Sequence, residues 1–376
     1  MKSNPNSSFN KVLKNKYFLI TTGAIFLLSV LFFMGVNFIF SKNLSYEKIN
    51  EITEISLPKV EPLDTVAYDL KLEELANNPP VKIVEPKIDP ETGQVIPEPE
   101  PKPNLWPVKA VYPNGGAILP FSRIIAYYGN LYSTKMGVLG EYPEDEMLQK
   151  LNDEVKKWSE ADPETPALPA LHYIAVTAQA SKGEDGKYRF RMPDSEIDKV
   201  LRMAEKINAI VFLDIQVGLS NLETEIPLLK KYLSMPQVHL GIDPEFSMKT
   251  GARPGTVVGT YDAEDINFAA NYLATLVKEN NLTPKILVVH RYTQKMVTNY
   301  QNIRPLPEVQ IVMDMDGWGG QAKKKNTYQQ FIYKEPVQFT GFKLFYKNDI
   351  KEKNTILMTP EEVLMLRPRP IYIQYQ

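Results

Sequence analysis

Eight short runs rich in β-branched and aromatic residues recur from residue 123 onward, and segments with helical periodicity separate most of them. The runs are too apolar to face water on either side, which is typical of parallel strands covered by helices. Eight such repeats over about 255 residues predict a (β/α)8 barrel, with an open doubly wound sheet as the alternative. The runs are residues 123–129, 171–178, 209–218, 238–246, 285–293, 309–317, 339–347 and 370–376.

The segments between these runs carry the signals expected of the outer helices of a barrel. Residues 142–161 and 194–208 place apolar side chains on one face of a helix. Asp262 is a candidate helix N-cap, and Thr359 followed by Pro360 is a second helix-start signal. The last run ends the sequence, so we expect a barrel that lacks its last outer helix, with the segment before residue 123 covering that gap or plugging the barrel floor.

A stretch without charged residues, 17–40, is long enough to cross a bilayer as a helix. Lys2, Lys11, Lys14 and Lys16 precede it, which favours a signal anchor with the N-terminus inside and the rest of the chain outside the cell membrane. The region that follows is rich in proline and acidic residues and is expected to form an extended linker. The predicted domains are a cytoplasmic basic tail (1–16), a single transmembrane signal anchor (17–40), a Pro-rich extracytoplasmic linker (41–104) and the barrel (105–376).

Composition excludes several kinds of function. The chain has no cysteine, which excludes disulfides, thiolate chemistry and cysteine-ligated zinc. Its 43 basic and 45 acidic residues give a net charge of −2, which provides no basic face for nucleic acid. The sequence has neither H-E-x-x-H nor a glycine-rich phosphate-binding motif, so no metal and no organic cofactor is predicted.

Polar residues concentrate where the predicted strands end. In a (β/α)8 barrel the reactive face lies at the C-terminal ends of the strands. Six of the eight runs change there from apolar to polar residues, which a barrel built only for stability does not require. The strand-end residues are Tyr128, Asn130, Asp214, Gln216, Asp243, Glu245, His290, Asp314, Asp316, Trp318 (just past its strand) and Gln374.

Alternation along the strands predicts which of these polar side chains point the same way, because residues two apart in a strand share a side. Asp243 and Glu245 share one side, and so do Asp314 and Asp316. With these sides inward, four or five carboxylates meet at one mouth, where like charges raise at least one pKa. A protonated carboxylic acid beside an ionised carboxylate is the pair of catalytic groups that glycoside hydrolysis uses.

The tripeptide Asp243-Pro244-Glu245 at the end of the fourth predicted strand resembles the D-x-E motif of barrel glycoside hydrolases. The resemblance is to the family 18 chitinases and the family 25 lysozyme-like muramidases, and it implies that Glu245 is the general acid. Asp243 then orients it or stabilises the positive charge of the substrate. The stretches "YYGN" and "HLGIDPEF" also resemble an uncharacterised group of bacterial exported barrels.

The resulting hypothesis is a membrane-anchored protein that hydrolyses cell-wall or surface carbohydrate, with no nucleic-acid partner. The candidate catalytic residues are Glu245, Asp243, Asp214 and Asp316. The candidate substrate-binding residues are Tyr128, Asn130, Gln216, His290, Asp314, Trp318 and Gln374, with further aromatic residues such as Tyr127, Tyr132 and Tyr292 available to stack on sugar rings.

Two other functions remain open. A barrel tethered by a Pro-rich linker can bind glycan or protein without cleaving it, because fold does not imply activity. A metal-dependent hydrolase is the second alternative, with His290, Asp214, Asp243 and Asp314 as ligands.

Structural roles are open for several of the same residues. Asp214 is a candidate cap for the loop after its strand, Asp243 a candidate holder of a turn, and Glu245 a candidate partner of Arg253 or Arg291. His172 and His239 stand near the starts of their predicted runs and are expected to pack in the core or the barrel floor.

Overall fold

The structure is a computed structural model that describes residues 61–80 and 103–376. The predicted basic tail 1–16, the predicted anchor 17–40 and most of the predicted linker lie outside these residues. Within the described parts of the chain, no helix is both long and apolar enough to cross a membrane.

Eight parallel strands close into a barrel in chain order. Each strand pairs with the next, and the last pairs with the first through the register Ile124↔Tyr372. This closure confirms the predicted barrel and excludes the open doubly wound sheet. Each predicted run overlaps one strand of the barrel. The strands are β1 Arg123–Gly129, β2 Ala167–Ala178, β3 Ile210–Ile215, β4 Val238–Ile242, β5 Lys285–Arg291, β6 Val309–Met315, β7 Phe339–Leu344 and β8 Tyr372–Tyr375.

Helices pack around the barrel, and two of them start at the predicted signals. Asp262 caps the longest of the later helices in a capping box with Asp265, and Thr359 forms a capping box with Glu362. The helices are α1 Thr65–Ala76, α2 Glu144–Ala161, α3 Asp194–Glu205, α4 Leu222–Glu225, α5 Lys230–Leu233, α6 Ala263–Asn280, α7 Gln321–Tyr328 and α8 Pro360–Leu364. Three short strands lie in the loops, at Arg189–Arg191, Tyr261–Asp262 and Val297–Thr298.

Alternation along each strand divides the core in two. On β3, Val211 and Leu213 point outward and pack in one apolar cluster with Val200 of α3. Ile210 and Phe212 point inward and belong to a second cluster inside the barrel. The same alternation directs Asp214 inward, because it follows Phe212 by two positions.

The N-terminal end of the barrel is plugged. Helix α1, which lies within the predicted linker, buries Tyr68 and Leu75 against the apolar residues of this end. Leu119 enters from the segment before β1, and its backbone N–H and C=O both pair with the buried Gln310 amide, at 3.1 and 2.6 Å. The predicted floor plug is therefore present, and the polar strand ends lie at the opposite end of the barrel.

Candidate active site

A cavity of about 710 Å³ opens at the C-terminal ends of the strands. This is the size range of small-molecule sites in proteins. Six of the eleven residues predicted from the strand ends line it. They are Tyr128, Gln216, Asp243, Glu245, Asp316 and Trp318.

The Asp-Pro-Glu sequence forms a tight turn at the wall of this cavity. Strand β4 ends at Ile242, and Pro244–Phe246 form a single 3-10 turn. Asp243 is the cap of that turn, because its Oδ1 accepts a hydrogen bond from the Glu245 backbone N–H at 3.0 Å. The turn-holding role considered for Asp243 is therefore confirmed, and its consequence is that Asp243 sets the position of Glu245.

Glu245 has an environment that favours its protonated form. Burial raises the pKa of this carboxyl group, and the nearby Asp316 raises it further. The neighbouring Tyr292 hydroxyl acts in the opposite direction and lowers the pKa. The alternative of a rim ion pair with Arg291 is wrong, since Arg291 is fully buried and pairs with Glu335.

Asp316 has the opposite environment. The Lys343 Nζ lies 2.9 Å from its Oδ1, and both side chains are buried. Burial alone would raise the pKa of Asp316, but the Lys343 ammonium and His290 outweigh it and lower that pKa. Lys343 also stands 3.9 Å from the centre of the Tyr128 ring. Lys343 was missed in the sequence, although its place two residues after Gly341 near the end of β7 marks it as inward-facing.

Trp318 forms the rim of the cavity. Its side chain is 46% exposed, which is unusual for tryptophan. Lys323 and Lys351 lie over the same ring, with their Nζ atoms 4.7 and 5.5 Å from its centre. An exposed ring at the mouth of a polar cavity offers a flat apolar surface on which a sugar can stack.

A second layer of polar side chains lies directly beneath the cavity. Asp214 accepts a hydrogen bond from the Tyr128 hydroxyl at 3.1 Å, and its other oxygen faces His172 and His290 at 3.3 and 3.4 Å. The His290 Nδ1 in turn lies 3.4 Å from Asp314. Asp214 is part of β3 and points into the barrel, so its alternative role as a loop cap is wrong.

His172 lies at a different level of the barrel from the one predicted. It was expected to pack in the core or at the barrel floor because the run 171–178 places it near a strand start, and it is indeed buried in the core. Strand β2 begins instead at Ala167, which places His172 in the middle of the strand, level with Asp214. His239 keeps its expected place near the start of β4, where its Nδ1 accepts from the Ile286 N–H at 3.0 Å.

Besides Asp214, His290 and Asp314 in the layer beneath it, Asn130, Gln374 and Tyr127 also do not line the cavity. Asn130 is fully buried, and its amide group is used by Ile174 and Tyr132, so it has no polar atom left for a substrate. Gln374 is also buried and donates to the Tyr372 hydroxyl at 2.7 Å. Tyr127 points outward and packs among other aromatic rings of the outer core.

Two glycines make room for the polar layer. A Cβ at Gly241 would lie 2.4 Å from the His172 Nε2 and 2.5 Å from the Asp214 Oδ1. A Cβ at Gly341 would lie 2.5 Å from the Asp314 Oδ1. Any other residue at these positions would displace the polar layer.

Comparison with known proteins finds likeness in structure alone. No protein-family model matches the sequence, and a search of curated proteins found no match. Solved structures that align with it include a ruminal GH26 endo-beta-1,4-mannanase, with 12% identity, a TM-score of 0.33, and 68% of this chain and 59% of that chain covered. Thermotoga maritima Cel5A in complex with cellobiose aligns with 13% identity and a TM-score of 0.38, covering 68% of this chain and 89% of that chain.

A third solved structure is XEG5A, a GH5 xyloglucan-specific endo-beta-1,4-glucanase from a metagenomic library, in complex with cellotriose. It shares 13% identity and a TM-score of 0.31 over 61% of this chain and 77% of that chain. The aligned part spans less than two thirds of the mannanase chain. At such low identities and TM-scores, these structures do not indicate the activity of this chain. The barrel assignment follows from the closed strand order of this chain.

Proposed function

We propose that this barrel binds carbohydrate in its C-terminal cavity and hydrolyses glycosidic bonds, with Glu245 as the general acid. The observation that carries the proposal is a pair of carboxyl groups with opposite environments on one cavity. Glu245 has a raised pKa, and Asp316 is ion-paired with Lys343. Two carboxyl groups whose surroundings separate their pKa values are the arrangement that glycoside hydrolysis uses.

Each group then has a distinct part in the chemistry. Protonated Glu245 donates its proton to the glycosidic oxygen, which lets the sugar leave as a neutral alcohol. The carboxylate of Asp316 faces the same cavity and stabilises the positive charge that develops on the sugar ring. A water molecule then adds to the ring carbon and gives a proton to the ionised Glu245, which restores the acid. Asp243 holds Glu245 in place through the backbone. Asp214, a predicted catalytic residue, lies in the layer beneath the cavity and orients Tyr128.

Carbohydrate is the substrate class that the lining of the cavity favours. Sugars need a flat apolar surface for the ring and hydrogen-bonding groups for the hydroxyls. Trp318 supplies the first, and Asn348 and Gln376 line the cavity with amide groups. The Gln216 amide and the Tyr128 hydroxyl also line it, but they hydrogen-bond to each other and to Asp243 and Asp214. A cell-wall or surface glycan is the substrate proposed, since the anchor 17–40 would place the barrel outside the membrane.

The proposed anchor has its own test. With the N-terminus inside and the barrel outside, protease added to intact cells should degrade the barrel while the N-terminal tail stays protected. A tag after Met1 and an antibody against the barrel would report the two ends separately. Recovery of the whole chain in the aqueous fraction of lysed cells, without detergent, would contradict the anchor.

The test of the function is the release of reducing ends from cell wall and a polysaccharide panel, measured with the full chain across pH. Activity should fall as pH rises through the raised pKa of Glu245, because the protonated carboxyl is the active form. Asp316, Asp243, Tyr292, Lys343 and His290 face this group.

The Tyr292→Phe variant tests whether the loss of activity at alkaline pH reflects the titration of Glu245. It removes the hydroxyl group that lowers the pKa of Glu245, so the loss of activity at alkaline pH should move to higher pH. No release from any polysaccharide, with binding retained in a pull-down, would replace hydrolysis with glycan binding.

A further inference from the structure

We propose that His172, Asp214 and His290 bind a divalent transition metal ion inside the barrel, directly beneath the cavity, and that Zn²⁺ is the ion that fits best. The proposed function does not use this site as a metal site. The inference rests on the positions of three side chains that arrive from β2, β3 and β5.

The first observation is that three buried ligand atoms face one another without hydrogen-bond partners in the described part of the chain. They are the His172 Nε2, the Asp214 Oδ1 and the His290 Nε2. The side chains of all three residues have no exposed surface. Buried polar atoms in proteins are almost always paired, so three unpaired ones aimed at the same point call for a ligand.

The distances match the geometry of a metal site. The Asp214 Oδ1 lies 3.3 Å from the His172 Nε2 and 3.4 Å from the His290 Nε2, and the three atoms lie within 4.8 Å of one another. Zinc binds nitrogen and oxygen ligands at about 2.0–2.1 Å with tetrahedral angles, which places two ligands about 3.3 Å apart. Two histidines and one carboxylate form one of the sets that catalytic zinc sites use.

The second observation is that each ligand is oriented by a partner on its far side. The His172 Nδ1 lies 2.6 Å from the Tyr372 hydroxyl. The His290 Nδ1 lies 3.4 Å from Asp314 and 3.3 Å from Asp316. The Tyr128 hydroxyl donates to the second oxygen of Asp214.

Metal-bound histidines characteristically have an oxygen beside their other ring nitrogen, which orients the ring. The His172 Nδ1 lies near the Tyr372 hydroxyl and also 3.2 Å from the Gln374 amide nitrogen, and the His290 Nδ1 lies near two carboxylates without a hydrogen bond to either. These outer neighbours lie on the far side of each ring from the atoms that would bind the ion.

The third observation is the glycine that the ligand atoms pack against. Gly241 is the inward position of β4 between His239 and Asp243. A Cβ there would lie within 2.5 Å of both the His172 Nε2 and the Asp214 Oδ1. The absence of a side chain at this position therefore lets the two ligand atoms come as close to each other as they do.

Charge also favours a cation. Asp214, Asp243, Asp314 and Asp316 are all buried in the same end of the barrel, and Lys343 is ion-paired with one of them. A divalent ion would balance this negative charge. The competing arrangement has no metal and a protonated His290 held between Asp214 and Asp314.

The experiment measures metal content and thermal stability, so its result does not depend on hydrolysis. The full chain is stripped with EDTA, incubated with Zn²⁺, desalted and analysed by elemental mass spectrometry and a thermal melt. We expect one Zn²⁺ per chain and a Tm that rises with Zn²⁺ concentration, with Mg²⁺ ineffective because it prefers oxygen ligands. X-ray absorption at the zinc edge should show nitrogen and oxygen neighbours at about 2.0–2.1 Å.

Two histidine variants test whether the ion binds at the proposed ligands. His172→Gln should abolish stoichiometric binding and the Zn²⁺-dependent Tm shift, whereas His239→Gln, at a buried histidine outside the cluster, should keep both. Should His172→Gln fail to fold, the absorption spectrum of the wild-type protein decides the ligand set. Absence of stoichiometric Zn²⁺ in the wild type, or binding unchanged in a folded His172→Gln variant, would overturn the proposal in favour of the metal-free network.

Discussion

Replacing Glu245 with Gln is expected to lower kcat for polysaccharide hydrolysis by about 10²–10⁴-fold, which is the usual contribution of a positioned general acid. Glutamine keeps the size and the hydrogen-bonding ability of the side chain but has no proton to give to the glycosidic oxygen. Because Asp243 holds the backbone of residue 245 and not its side chain, the turn should remain in place. The measurement is steady-state release of reducing ends on the best substrate of the panel.

A matched control separates loss of the acid from loss of the fold. Glu205 is exposed at the end of α3, away from the cavity, and Glu205→Gln should leave kcat unchanged. KM for Glu245→Gln should change much less than kcat, since the acid acts chiefly in the transition state. A Glu245→Gln enzyme that retains wild-type kcat, with the protein folded, would remove Glu245 from the mechanism.

Replacing Lys343 with Met is expected to destabilise the protein by about 3–5 kcal/mol, the cost of breaking a buried ion pair by removing one partner. Lys343 is 2% exposed, and its Nζ is 2.9 Å from Asp316. Methionine fills most of the space but leaves Asp316 as an unpaired buried carboxylate. The free energy of unfolding in denaturant measures the effect.

The control for this variant is an ion pair of the same kind on the surface. Lys230 and Glu279 lie 3.0 Å apart, and both side chains are about half exposed. Lys230→Met should leave the free energy of unfolding almost unchanged, because water solvates both charges. Adding Asp316→Asn to Lys343→Met should recover part of the lost stability, since the uncompensated charge is removed. A Lys343→Met variant no less stable than Lys230→Met would mean that the Lys343–Asp316 pair contributes little.

The candidate site was predicted from the sequence to the extent that it depends on local pattern. Asp243, Glu245 and Asp316 follow apolar runs at the ends of parallel strands, and such ends share one face of a barrel. Asp243 and Asp316 directly follow their strands, so alternation directs their side chains inward, whereas Glu245 is positioned by the turn after β4. Asn130 followed the same pattern but was assigned the wrong role, because its side chain is used to hold the loop after β1.

His172 and Lys343 show where local pattern fails. The level of a residue inside a barrel depends on where its strand begins, and β2 begins four residues before the predicted run. Lys343 was hidden inside an apolar run, and a lysine is expected in the interior only when a carboxylate pairs with it. That carboxylate is Asp316, on the neighbouring strand.

The sequence by itself determined the number, order and sidedness of the strands, because β propensity, helix periodicity and capping act over a few residues. It also determined which strands end in polar residues. Only the tertiary structure decided that His172, Asp214 and His290 meet, because they come from three strands and their spacing depends on barrel closure and stagger. It likewise decided which carboxyl groups differ in pKa, since burial and the charges of neighbouring strands set that difference.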